Sequence, residues 1–452
     1  MNTVFLWLES LVSGVLPLTF LSVSGIIFTV KTRGMQFRKF FKAISFACTS
    51  GKKSEKGISS FGAVCNSLAA TVGTGNIAGV AAAISIGGAG AVFWMWISAF
   101  LSMVIKALEI TLAIKYRKEE NGIYVGGPMN YIKKISDRKF SYLAAVFAFF
   151  GVFSAFCTGN ITQINACTSA MDTGIYVKLI VGVLFCVITA ATIKGGARKI
   201  TDFTTAVLPL MAVLYVVFCL GVIIKNITVL GDVFLSIIRG AFSPSSVTGG
   251  AVGSAMICVI TGTQKGIFSN EAGLGTAGIA HALAVDADPK TQGFFGIFEV
   301  FVDTLLICTL TALTILSSGV IIDYNSVASS ALVVQSLGTV YGKFANIALS
   351  LMLCLFGISS IIGWATYGIT FAKFLCGEKG KKTFIFVYPF FCIVGAVMNV
   401  GFAWRLAEFF NAVMLCINLF AVLILSPQVV SILKGEKYET KNRKIAKFSF
   451  RR

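Results

Sequence analysis

The sequence predicts an all-α polytopic membrane protein of about 11 transmembrane helices. They form a five-plus-five inverted repeat with two broken helices, preceded by one extra N-terminal helix. Three observations predict this. Of 452 residues, 56% are hydrophobic and only 13% charged, with a mean hydropathy of +0.86. Soluble domains carry roughly 25% charge, so this chain cannot cover a soluble surface. The cations fall in short clusters between apolar runs, and two of those runs are interrupted by glycines and small polar residues about 195 positions apart.

A membrane helix needs about 20 mostly apolar residues. The qualifying runs are 5–30, 61–86, 90–114, 140–170, 176–193, 203–224, 249–280, 292–319, 337–374, 383–400 and 405–426. The first has no basic stretch before it and no small-residue cleavage site after it, so it reads as a retained helix rather than a signal peptide. With the N-terminus outside, the loops 31–60, 115–139, 194–199, 281–291 and 373–382 and the tail from Lys434 hold 31 Lys/Arg. The opposite face holds five, Lys178, Lys225, Arg239, Lys343 and Arg405. The positive-inside rule therefore predicts a cytoplasmic C-terminus in the plasma membrane and an odd number of spans.

The expected divisions are 1–60 (extra helix and basic loop), 61–224 (first repeat), 225–248 (external loop), 249–426 (second, inverted repeat) and 427–452 (basic cytoplasmic tail). Segment 226–246 has mixed polarity and Pro244, and reads as a short amphipathic helix on the outer interface.

The net charge of +19 would suggest nucleic acid in a soluble protein. Here the positives face anionic membrane lipid, and neither a nucleic acid nor an obligatory protein partner is expected. Twelve cysteines occur without a CxxC or a Cys/His cluster, which argues against zinc or a structural disulfide. There is no P-loop, no repeated filter, no paired carboxylate and only one histidine, His281. ATP-driven transport, a channel and an intramembrane enzyme lose their support.

The interrupted runs carry the functional signal. One reads Leu68-Ala-Ala-Thr-Val-Gly-Thr-Gly-Asn-Ile-Ala-Gly79, the other Thr261-Gly-Thr-Gln-Lys-Gly-Ile-Phe-Ser-Asn-Glu-Ala-Gly-Leu-Gly275. Irregular backbone at membrane depth is tolerated only where it is buried or lines a cavity. Half-helix N-termini attract anions and half-helix C-termini attract cations. Each break falls in the first helix of its half, and five helices per half inverts the second. That arrangement points to a transporter site at the bilayer midplane.

These residues also resemble a known family. Thr71-Val-Gly-Thr-Gly-Asn-Ile-Ala-Gly79, Gly90-Ala-Val-Phe-Trp-Met-Trp96, Gly126-Gly-Pro-Met129 and Lys265-Gly-Ile-Phe-Ser-Asn-Glu-Ala-Gly-Leu-Gly275 resemble the alanine or glycine:cation symporters. So do Ile279-Ala-His-Ala282, Val302-Asp-Thr304 and Ile361-Ile-Gly-Trp364. The resemblance covers nearly the whole chain. It implies the inverted-repeat fold of the amino acid–polyamine–organocation superfamily and Na⁺-driven uptake of small neutral amino acids such as alanine and glycine, with no organic cofactor. The chain departs from the family pattern at Ala89, Asn130, Gly278 and Ile369.

A zwitterionic substrate needs donors for its carboxylate and acceptors for its ammonium. The expected donors are the N–H groups around Gly73, Thr74 and Gly75, with Asn76 beside them. The expected acceptors are the carbonyls around Phe268, Ser269 and Asn270. Gln163, three residues from Asn160 on one helical face, reads as a pocket residue, with Trp364 and Phe268 capping the pocket. By resemblance to the fold's widespread sodium site, the carbonyls of Ala69 and Val72 and the hydroxyls of Ser359 and Ser360 would hold Na⁺, a hard cation that prefers oxygen. Asp303, costly inside an apolar run, reads as a candidate second cation site with Asn76, or as a partner of Lys265. Glu271 reads as a gate or a capping carboxylate, Lys106 and Glu109 as a local pair that snorkels, and His281 as a helix-terminal contact. The competing expectation is proton coupling through Asp303, Glu271 or His281.

Overall fold

Hydrocarbon offers no partner to a backbone N–H, so each spanning segment must satisfy its own. Among its described residues, the computed structural model accordingly folds into helices, apart from one hairpin of Lys118–Glu120 with Ile123–Val125. It describes residues 14–49, 57–120, 122–135, 140–171, 174–244, 248, 254–324 and 330–435. The start of the first run, residues 249–253 of the seventh run, and the tail beyond Gly435 lie outside the described residues.

After Leu16–Lys31, the two halves repeat one order of elements. The first half has a broken segment (Ser60–Thr71, a π-turn Gly75–Gly79, then Val80–Gly87), then Gly90–Lys115, a short Pro128–Ile132, and Ser141–Phe156 continuing through a π-turn into Thr162–Ala170. Ile175–Ile193 and Gly196–Lys225 complete it. The second half has its own broken segment (Ala255–Asn270, then Thr276–Ala282), then Pro289–Val300 running through a π-stretch Phe301–Cys308 into Thr309–Ser317, and a short Ala331–Tyr341. Phe344–Val387, Phe391–Val397 and Val400–Lys434 follow. Phe344–Val387 kinks at Cys376 and Gly377, where Gly377 takes φ 63°.

Among the described residues, seven helices are long and apolar enough to cross a membrane, or eight if the first broken pair is one span. Three further expected segments fall short of that length for identifiable reasons. Leu16–Lys31 has 16 described residues, the second broken segment is split into 16 and 7, and the run at 383–400 continues from its predecessor past the kink. Between the halves, Leu230–Phe242 is the expected amphipathic helix and packs on Gly90–Lys115.

The Gly90–Lys115 helix is the centre of the molecule. It touches Leu16–Lys31, Ala255–Asn270, Thr276–Ala282 and Pro289–Val300, and its middle and end are buried from Ser102 to Ile114. Ile175–Ile193 and Gly196–Lys225 instead expose apolar side chains such as Ile180 and Val213 outward, as lipid-facing helices do.

Candidate substrate and cation site

The first break bends its two helical pieces by 50°. Ser60–Thr71 is capped by Ser59, whose hydroxyl accepts the Gly62 N–H, and it stops at Val72. Gly73 is required here by space: a Cβ would lie 2.5 Å from Ser360 Oγ and 2.8 Å from Gln163 Oε1. Two of the three N–H groups expected to await an anion, those of Gly73 and Thr74, are already engaged by side-chain oxygens. Gly73 donates to Asn76 Oδ1 at 2.9 Å. The Thr74 N–H and hydroxyl both donate to Gln163 Oε1, at 3.0 and 2.9 Å.

Gln163 therefore reaches the first break, as expected, and its Nε2 donates to the Thr158 carbonyl at 3.1 Å. Asn160 does not share that face. The π-turn Cys157–Ile161 breaks the 3.6-residue period on which the i,i+3 expectation rested, and Asn160 donates to the Tyr388 carbonyl at 2.8 Å.

Asn76 joins the two breaks. Its Nδ2 lies 2.7 Å from Asp303 Oδ1 and 2.9 Å from Ser269 Oγ. Ser269 donates in turn to Asp303 Oδ2 at 2.7 Å, and Thr304 donates to the same oxygen at 2.8 Å. Asn270 completes the ring by donating to Thr304 Oγ1 at 3.2 Å. Asp303 is fully buried, and three side-chain donors compensate its lost hydration. It does not pair with Lys265, which sits farther toward the surface, 2.7 Å from Glu408 and over the Trp404 ring.

The four oxygens expected around Na⁺ converge. Ser360 Oγ donates to the Ala69 carbonyl at 3.0 Å and lies 3.5 Å from the Val72 carbonyl. Ser359 Oγ is 3.5 Å from Ala69 O and 3.1 Å from its own Phe356 O. The cluster adjoins Gly73, so the cation candidates and the anion donors share one break.

Lys106 and Glu109 do not form the expected local pair. Lys106 is fully buried, and its Nζ donates to Asn270 O at 2.9 Å and to Glu299 Oε2 at 3.1 Å. Gly90–Lys115 runs through the protein centre rather than along lipid, so the ammonium finds a carbonyl and a carboxylate there and need not snorkel. The Asn270 carbonyl, expected to face a substrate ammonium, is thereby occupied. Glu109 instead accepts from Asn418, which also donates to Gly273 O and accepts from Tyr131.

Glu299 also accepts from Ser67 at 2.8 Å, and its Oε1 is 2.6 Å from His281 Nε2. His281 Nδ1 lies 2.7 Å from Gln292 Nε2. His281 is thus part of a buried network between Thr276–Ala282 and Pro289–Val300. Sequence reasoning missed Glu299, although it stands one helical turn before Asp303 in the same apolar run.

Glu271 stands at the C-cap position of the first piece of the second break, and its carboxylate bonds side chains rather than backbone N–H groups. It ends Ala255–Asn270 in the left-handed region, φ 55°, where a non-glycine residue is uncommon. Its carboxylate offsets that cost by accepting Trp364 Nε1 and Thr276 Oγ1, at 2.7 and 2.8 Å. Trp364 is fully buried and packs on the π-turn, where a Cβ on Gly159 would come within 2.4 Å of it. Phe268 lies over Gly75 and against Trp404, with ring centroids 4.7 Å apart.

Two halves of like order, a break in the first helix of each, and a buried polar hub between the breaks define a membrane transporter of the inverted-repeat class. The solved structure of MhsT in complex with L-phenylalanine shares the fold, with a TM-score of 0.62 at 13% identity, over 86% of this chain and 94% of that one. The chain belongs to the sodium:alanine symporter family, which matches residues 1–451. It is similar to the sodium/alanine symporter AgcS of Methanococcus maripaludis, 36% identical over 449 residues, 96% of this chain and 98% of that protein. It is equally similar to the probable sodium/glutamine symporter GlnT of Bacillus subtilis, 36% identical over 437 residues, 95% of this chain and 88% of that one. The family consists of transporters, not enzymes, and this chain is a multi-pass membrane protein.

Proposed function

We propose that the protein carries a small neutral amino acid such as alanine or glycine into the cell together with Na⁺, by alternating access. The observation that carries this reading is the convergence at one break of four oxygens suited to a cation and two donors suited to a carboxylate.

In this reading the substrate carboxylate replaces Gln163 Oε1 on the Thr74 N–H and hydroxyl, near Gly73, Gly75 and Asn76. Gln163 can then turn its amide N–H toward the carboxylate. The ammonium takes the carbonyls of Phe268 and Ser269 at the end of the second half-helix, while Lys106 continues to hold Asn270 O. Na⁺ lies among Ala69 O, Val72 O, Ser359 Oγ and Ser360 Oγ, and the two hydroxyls rotate their protons away to offer lone pairs. A cation bound there couples to substrate through the shared break. Phe268 over Gly75 and Trp364 against Gly159 leave little room for a long side chain, so selection for size would be steric.

Support for a second cation at Asn76 and Asp303 is weaker, because the Asp303 carboxylate already accepts from three side chains. Proton coupling through Asp303, Glu271 or His281 is disfavoured on similar grounds: Glu271 and His281 hold structural bonds on both polar atoms. The charge count supports an outside N-terminus and cytoplasmic C-terminus in the plasma membrane.

The test is uptake of labelled alanine into proteoliposomes under inward Na⁺, K⁺ or proton gradients, with glycine, serine, glutamine and leucine as competitors. Uptake only with Na⁺, blocked by glycine and not leucine, is expected. Uptake driven by a proton gradient without Na⁺ would overturn the cation assignment, and the absence of alanine transport under every gradient would overturn the substrate.

A further inference from the structure

A cavity of about 280 Å³ opens where three distant segments meet: the end of Leu16–Lys31 with Met35–Arg38, the start of Pro289–Val300, and the end of Val400–Lys434. It lies on the face that the charge count makes cytoplasmic. Among the described residues, six cations line it, Arg33, Arg38, Lys39, Lys42, Lys290 and Lys434, and no carboxylate does. Among the described residues, none of the six forms an ion pair. Asp288, close to Lys290 in sequence, caps its own helix by accepting the Thr291 N–H at 2.9 Å. Like charges around one cavity repel, and an anion that enters relieves all of them together.

The backbone brings these charges together. Arg33 and Gly34 both take left-handed conformations, φ 55° and 65°. This turn ends the first helix, and Arg33, Arg38 and Lys39 around it border the same cavity as Lys290 and Lys434.

The surroundings favour a lipid over a soluble anion. The cavity also contacts the apolar side chains of Met35, Phe294 and Leu433. Beside it, Phe37 in Met35–Arg38 is 57% exposed, and Phe41 in the first turn of the helix Phe40–Thr49 is 82% exposed. Exposed phenylalanines interleaved with cations are the pattern of a segment lying at the headgroup level. Basic pockets between helix ends at the cytoplasmic surface suit anionic headgroups.

We propose that this cavity binds the phosphate of an anionic phospholipid of the cytoplasmic leaflet, with the acyl chains alongside Phe37 and Phe41. The lipid would tie the extra N-terminal helix to the ends of the second repeat. The proposal does not depend on the transported substrate.

The full chain, purified in detergent, is titrated with phosphatidylglycerol, with cardiolipin, with phosphatidylcholine and, separately, with inorganic phosphate, and bound species are counted by native mass spectrometry. Phosphatidylglycerol and cardiolipin are expected to be retained, and R38E/K42E to retain them at least tenfold less. K379E/K382E, which reverses two charges on the same face outside the cavity, is expected to match the parent chain. R38Q/K42Q, with a milder change, is expected to show a partial loss and provides the same comparison if the reversed pair does not yield monodisperse protein. Equal losses in the cavity and control variants would overturn the site in favour of diffuse surface charge. Binding of millimolar inorganic phosphate that displaces the lipid would overturn the lipid assignment.

Discussion

Replacing Lys106 with methionine keeps most of the length of the side chain and removes its charge. In the parent, Lys106 Nζ bonds Asn270 O at 2.9 Å and Glu299 Oε2 at 3.1 Å, and both charged side chains are fully buried. Lys106→Met leaves Asn270 O without this donor and leaves Glu299 with only His281 and Ser67. Removing one member of a buried pair costs about 3–5 kcal/mol, because the other charge stays in a low-dielectric site. At somewhat under 2 °C per kcal/mol for a chain larger than 250 residues, that is a drop of about 5–9 °C. The assay is thermal unfolding in detergent, followed by tryptophan fluorescence and compared at one heating rate. The double variant Lys106→Met/Glu299→Gln removes both charges and is expected to lose less than the sum of its single variants. Uptake below the melting temperature is expected to fall at least tenfold in Lys106→Met, because the second break loses an anchor. A melting shift within 2 °C, with strictly additive effects in the double variant, would refute the reasoning.

Further outcomes concern the breaks themselves. Ser360→Ala removes a hydroxyl 3.0 Å from Ala69 O and is expected to raise the Na⁺ concentration for half-maximal uptake at least tenfold; an unchanged Na⁺ curve would contradict the cation assignment. Gly73→Ala places a methyl 2.5 Å from Ser360 Oγ and is expected to abolish uptake while the protein still reaches the membrane, as checked by surface labelling. Gln163→Glu puts a carboxylate where the substrate carboxylate is proposed to sit and is expected to raise the alanine KM with less effect on folding. Trp364→Phe removes the Nε1 donor to Glu271 and is expected to cost about 1.5–3 kcal/mol, the range for a hydrogen bond to a charged group, read as a lowered melting temperature.

The breaks were legible because glycines clustered with small polar residues in an apolar run have few other uses. Gly73, Asn76, Ser269 and Asn270 stand out for that reason, and Ser359 and Ser360 stand out through their resemblance to the fold's widespread sodium site. Partners were harder to read. Lys106 and Glu109 look like a local pair because i,i+3 neighbours share a helix face, yet each bonds across the bundle to a residue more than 150 positions away. Glu299 was hidden by the hydrophobic residues around it. The divergence of Asn160 from Gln163 depends on a π-turn, which has no sequence signature comparable to a helix cap.

The sequence by itself determined the membrane class, the order of elements and the places where helices must break. These follow from local quantities: apolar length against bilayer thickness, charge against leaflet, and glycine against helical backbone. Only the tertiary structure decided which buried polar groups meet. Inside a low-dielectric bundle each charge and amide must find a partner, and several candidates of the right chemistry exist along the chain. The packing of Gly90–Lys115 against both breaks selects among them. It brings Lys106 to Asn270 and Glu299, while Asn76 closes the space between the two breaks by bonding to Asp303 and Ser269.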